Sequence, residues 1–131
     1  MAEPHPFRRA AEQKDLELMR EALAEDVVLH SPVLFRGFEG REVVLAVLSH
    51  VIAVFEDFSY LDEVAEGDRV VLRFGAKVGD FQLEGIDYLE LDADGRVAEL
   101  TVFMRPFRAV TAFNERMTER FAAAPSAPEA A

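Results

Sequence analysis

From Phe58 to Phe107 the chain alternates with period two and is cut by turn chemistry at Glu66-Gly67-Asp68, Val78-Gly79-Asp80 and Ala93-Asp94-Gly95. Alternation sends successive side chains to opposite faces of a strand, and glycine beside aspartate supplies the backbone shapes that tight turns need. The segment therefore reads as four consecutive antiparallel strands. In the first, Phe58, Tyr60, Asp62 and Val64 share one face, against Ser59, Leu61, Glu63 and Ala65 on the other. The next three span about Arg69 to Lys77, Phe81 to Asp92 and Arg96 to Phe107.

The flanks follow helical spacing. Pro6 to about Ala24 carries Phe7, Ala10, Ala11, Leu16, Leu18, Met19, Ala22 and Leu23, with Lys14-Asp15 interrupting the pattern. Asp26 to Ser31 is β-rich and stopped by Pro32, which predicts a short strand at an edge or entering a turn. Gly37 and Gly40 precede a second helix over about Arg41 to Phe55, and Ala109 to Phe121 forms a third. Helices gathered before strands favour an α+β fold, with the helices covering one face of a curved sheet. At 131 residues and 50% hydrophobic the chain fits one domain, residues 5–121, that buries roughly two thirds of its unfolded surface. The Ala- and Pro-containing segment 122–131 is expected to be a disordered tail.

Charge narrows the functions. Fourteen Lys and Arg against twenty-five Asp and Glu leave a net −11, a field that opposes nucleic acid and anionic membrane. No run approaches the ~18 apolar residues of a membrane span. The opening Met1-Ala2-Glu3-Pro4-His5-Pro6 lacks a basic-then-apolar leader, so a cytoplasmic setting is expected. There is no Cys, and His30 and His50 stand apart without metal-ligand spacing, so no metal and no cofactor are expected. Asp92-Ala93-Asp94-Gly95 begins like a calcium loop but lacks the later ligands, and reads as a turn.

Asp87 is the candidate functional residue. In Glu84 to Asp92 it shares a face with Leu89 and Leu91, while Glu84, Glu90 and Asp92 take the other. A carboxylate among core leucines must be paired, protonated or turned toward a cavity, because burying an unpaired charge is costly. Apolar surroundings raise its pKa and make it a donor at neutral pH. Tyr60, Ser31 or backbone could instead satisfy it as a structural group. Asp62 and His50 are the further candidates for acid–base partners. Strand phase predicts a mostly apolar ligand-binding lining from Val27, Leu29, Ser31, Leu72, Phe74, Leu89, Leu100, Val102 and Met104. Tyr60 joins that set from the first of the four strands. The opposite face of the last two strands carries Tyr88, Thr101, Phe103 and Arg105, an apolar surface that needs a cover.

Three stretches resemble the SnoaL-like branch of the nuclear-transport-factor-2-like (NTF2-like) superfamily: Glu25 to Pro32, Phe38 to Val43, and Gly85 to Val97 running on to Arg105-Pro106. The resemblance covers about residues 5–115. It implies a cone, in which a curved antiparallel sheet wraps around N-terminal helices and leaves an apolar cavity. It also implies a homodimer through the outer sheet face. Among relatives of this kind, ketosteroid isomerases place an oxyanion-stabilising acid where this chain has Asp87, within Ile86-Asp87-Tyr88. Their general base precedes a proline where Ser31 precedes Pro32, and their tyrosine donor falls at Phe7. A serine hydroxyl without an activating partner is too weak a base for that chemistry. An epoxide-hydrolase arrangement needs an inward Arg, whereas Arg73 and Arg105 fall on the opposite face.

The expectation is a protein that binds a small apolar organic ligand, with Asp87 as its acidic contact and no complete catalytic set. One alternative is a cofactor-free acid–base enzyme (isomerase, polyketide-cyclase-like, or hydratase or epoxide-hydrolase-like) using Asp87 with Asp62 or His50. Another is a dimeric interaction module whose cavity is filled by side chains.

Overall fold

The structure, a computed structural model, describes residues 3–123. Of the expected tail 122–131, Ala122 and Ala123 complete the last helix, and 124–131 lie outside the described residues. The first helical segment is two helices, α1 (Pro6–Gln13) and α2 (Leu16–Ala22). Asp15 explains the break, since its carboxylate accepts from the N–H groups of Glu17 and Leu18 and caps α2. Lys14 closes α1 in the left-handed conformation at φ 54°. The chain then enters β1 (Leu23–His30), β2 (Phe38–Glu39) and α3 (Arg41–Val54). Four long strands follow: β3 (Glu56–Glu66), β4 (Arg69–Val78), β5 (Phe81–Leu91) and β6 (Val97–Arg105). Helix α4 (Phe107–Ala123) ends the described chain.

The six strands form one sheet in the order β2-β1-β6-β5-β4-β3. The predicted antiparallel meander is β3 to β6, and β1 returns parallel to β6. The edge expectation for β1 requires correction. The edge is taken by β2, two residues long, which pairs with β1 through Val28 and Glu39, and Leu29 and Phe38. Pro32 still stops β1, but its partner strand lies in the glycine-flanked loop where the sequence shows no alternation.

All four helices contact the concave side, α1 against β3, α2 and α3 against β1, and α4 against β4, β5 and β6. Their buried faces and the inward strand residues form one core that includes Met19, Val44, Leu72, Phe74, Leu89 and Leu100. The result is the α+β architecture expected, a curved sheet with helices in its hollow. Among the described residues no helix is long and apolar enough to cross a membrane.

Candidate functional site

Asp87 sits in the middle of the sheet, opposite Leu72 on β4 and Val102 on β6. Its side chain points into the hollow, and it is the one buried charged or polar residue among those described, at 8% exposure. The phenol of Tyr60, on β3, donates a hydrogen bond of 2.7 Å to Asp87 Oδ2. One strand, β4, separates the donor and acceptor both in the chain and in the sheet. The contact is therefore set by sheet curvature rather than by local sequence.

An aromatic wall fixes the phenol. The Tyr60 ring meets Phe58 edge-on at 4.9 Å between centroids, and Phe58 packs on Phe55 and Phe74 at 5.6 and 5.4 Å. Phe55 stacks in turn on Phe113 of α4 at 5.3 Å. On the other side the Arg8 guanidinium lies 6.0 Å from the Tyr60 ring centroid, held there by Glu63 and Glu12. Gly85 makes room for this wall. A Cβ there would fall 2.2 Å from the Phe103 carbonyl oxygen and 2.7 Å from the tip of Phe74, so the Phe74 ring rests where a side chain would stand.

Beside the pair opens a cavity of about 340 Å³. Its walls are apolar: Phe7 and Met19 from the first helices, Leu48 from α3 and Phe55 just after it, Val102 and Met104 from β6, Phe113 and Met117 from α4. Burial in this lining raises the Asp87 carboxyl from 3.8 to about 7, with the Tyr60 hydrogen bond pulling the other way. Burial also pushes the Tyr60 phenol well above its ordinary value, helped by the adjacent carboxylate. Near neutral pH Asp87 can thus give or take a proton, while Tyr60 remains a donor.

The other expected site residues divide. Phe7, Leu29, Ser31, Tyr60, Phe74, Val102 and Met104 border the cavity with Asp87. Val27, Leu72, Leu89 and Leu100 do not; they are buried in the core at 0–1% exposure. An inward strand position borders open space only where no helix lies over it, and strand phase alone does not report helix placement.

Asp62 stands outside the site. A bulge in β3 sets Tyr60 opposite Phe74 but Asp62 opposite Arg73, so two steps on β3 match one on β4. The faces exchange at that point: Glu63 turns inward toward Arg8, and Asp62 turns outward to accept from Arg73 Nε at 2.7 Å. His50 is also away from the cavity lining. Its Nδ1 accepts from Arg120 Nε at 3.1 Å and its ring meets Phe121 edge-on at 5.2 Å, so it joins α3 to α4. Ser31 borders the cavity, but its Oγ accepts from the Val33 N–H at 3.1 Å and shapes the turn after β1.

The sequence reading missed the helical share of the walls. Phe113, Met117 and Phe121 recur every four residues on α4 and mark a stripe, yet nothing in the stripe tells a cavity wall from a packed core. Lys14, Asn114 and Thr118 are also part of the lining and are exposed, which places them at the mouth. Among the described residues no cluster of three His, Asp or Glu side chains could hold a metal ion.

Comparison with known proteins places these features. No protein of curated function is significantly similar in sequence. A steroid delta-isomerase from Pseudomonas aeruginosa is 36% identical, with a TM-score of 0.85 over 89% of this chain and 87% of that one. An uncharacterised bacterial protein with a cystatin-like fold, from Silicibacter pomeroyi, is 33% identical, with a TM-score of 0.86 over 89% and 83%. A putative polyketide cyclase from Sinorhizobium meliloti shares the fold at 17% identity and a TM-score of 0.61, over 73% of this chain and 88% of that one. The SnoaL-like domain family matches residues 6–100. The chain accordingly belongs to the SnoaL-like domain family, within the nuclear-transport-factor-2-like superfamily.

Proposed function

We propose that this protein binds a small, largely apolar molecule in the cavity and engages one hydrogen-bonding group of it through Asp87 and Tyr60. The observation that carries the reading is the buried 2.7 Å Tyr60–Asp87 pair beside an otherwise apolar cavity of about 340 Å³. A polar pair with spare hydrogen-bonding capacity in an apolar hollow gives a ligand both affinity and orientation. A ligand carbonyl or hydroxyl fits best, because it accepts from a neutral Asp87 whose Oδ2 takes the Tyr60 proton. The open space beside Asp87 weighs against an interaction module with a filled cavity. Native mass spectrometry of freshly purified protein is expected to show a retained small molecule, which the Asp87→Leu variant no longer carries. An empty wild-type protein that also fails to take up neutral methyl ketones would overturn the reading.

Acid–base catalysis is the second reading. It is favoured by the Asp87 carboxyl at about 7 and by the 36% identity to the steroid delta-isomerase. Its weakness is the missing partner, since Asp62 and His50 lie elsewhere and Ser31 is engaged in a turn. Proton exchange separates the two readings. An enzyme built on Asp87 is expected to wash deuterium from D2O into the α-position of a bound ketone, and Asp87→Asn to abolish this. A binding protein takes up the ketone without exchange.

The same reading includes a homodimer through the outer sheet face. Phe103 is 53% exposed there, next to Ile86 and a shallow recess edged by Arg73, Glu84 and Arg105.

A further inference from the structure

The cavity lining is bipolar. Among the described residues, apart from Tyr60, Asp87 and Lys14 are the ionisable ones that border it, one buried and one exposed. Between them the lining is aliphatic or aromatic, save for Ser31 at the turn after β1. At the mouth, Thr118 Oγ1 is committed to the Asn114 carbonyl oxygen at 2.8 Å. Among the described residues, neither the Lys14 ammonium nor the Asn114 carboxamide has a hydrogen-bond or ion-pair partner. Arg8 and Arg20, on either side of Lys14 in sequence, are tied to Glu12 and Glu63 and to Glu17 and Glu42, whereas Lys14 forms no ion pair among the described residues.

Lys14 also occupies a backbone position suited to glycine. It closes α1 at φ 54°, in the left-handed region that costs an L side chain energy, with Asp15 N–H bonded to the Ala10 carbonyl at 2.9 Å. An exposed lysine there puts a cationic residue in the cavity lining of a chain whose net charge is −11.

Building on the ligand-binding reading above, we propose that the ligand is an elongated apolar monocarboxylate that enters with its carbonyl or hydroxyl end first. Asp87 and Tyr60 hold the inner end, and Lys14 with Asn114 holds the carboxylate at the rim. Charge sets the direction. The reverse pose would bury a carboxylate among apolar walls, where desolvation opposes it. A single ammonium and one amide match a monoanion, whereas a phosphate dianion would meet the acidic field of the molecule with too few donors.

The test is displacement of the neutral dye Nile red by three matched probes. These are a ten-carbon carboxylate with a ketone next to its methyl end, the methyl ester of that acid, and the ten-carbon methyl ketone. The keto acid is expected to bind about three- to tenfold more tightly than its ester at low salt, a preference that shrinks as salt rises. Lys14→Gln and Lys14→Gly are expected to erase that preference and leave the affinity for the methyl ketone unchanged, and Lys14→Arg to retain it. Glycine suits φ 54°, so its variant keeps the fold while removing the charge. An ester that binds as well as the acid, or a preference that survives Lys14→Gln, overturns this inference while leaving the cavity reading intact. If the methyl ketone fails to displace the dye, both fall.

Discussion

Asp87 is paired with Tyr60, borders the cavity and keeps its proton up to about pH 7, so the three outcomes that its sequence position allowed are combined in one residue. Its carboxyl stands at about 7 against an ordinary 3.8, chiefly because burial penalises the charge. Between those values the folded protein keeps a proton that the unfolded chain has released. The neutral acid therefore stabilises fully below about pH 4, and this contribution is lost as pH rises through about 7, where it levels off. Asp87→Asn removes the titration and keeps an acceptor for the Tyr60 phenol. Urea midpoints measured across this window are expected to show wild type losing about 2–4 kcal/mol relative to the variant as pH rises from about 4 to about 8. Parallel stability curves would mean that Asp87 is ionised in the folded state throughout. The position of Asp87 was legible because its neighbours Leu89 and Leu91 hold strict alternation. Its partner was less legible, since nothing local to Tyr60 singles out one acceptor across an intervening strand.

At the scale of elements, the sequence shows periods but not the places where a period slips or what covers a face. The bulge in β3 contains no glycine or proline to announce it, and it moves Asp62 from the expected cavity side to Arg73 on the outside. The same limit applies to α4, whose stripe is plain while its role as a cavity wall depends on docking. That docking has a titratable part. Arg120 donates to His50 Nδ1, so the imidazole must be neutral, and both burial and the Arg120 charge lower its pKa. Stability from a depressed group is present above its ordinary 6.5 and is lost as pH falls through the folded value. Acidification then places imidazolium beside guanidinium at the end of α4. Amide exchange in residues 117–123, corrected for intrinsic rates, is expected to rise about two- to fivefold at pH 5 relative to pH 7.5. His50→Gln, which can accept from Arg120 without titrating, is expected to suppress the rise. An unchanged pH response in that variant would show that another group loosens α4.

On the scale of the whole molecule, one curved sheet serves two surfaces of opposite character. Its concave side is closed by helices except at the cavity, and its convex side carries Ile86 and Phe103 amid Arg73–Asp62, Arg73–Glu84 and Arg105–Glu84 ion pairs. Leu61, 50% exposed, lies over Gly75 on that side and extends the apolar area. A face with an apolar centre and both signs of charge around it can match a copy of itself across a two-fold axis, where each Arg can meet the other copy's carboxylates. The cavity opens on the opposite side of the sheet, so pairing through this face leaves ligand access free. Light scattering after size exclusion is expected to give twice the chain mass at micromolar concentration. Phe103→Glu, which buries a charge at the centre of the contact, is expected to shift the protein to monomer. Because Phe103 faces away from the core, Nile red binding should persist in that monomer. A wild-type protein of single-chain mass, or a Phe103→Glu variant that stays dimeric, would remove the convex face from the assembly.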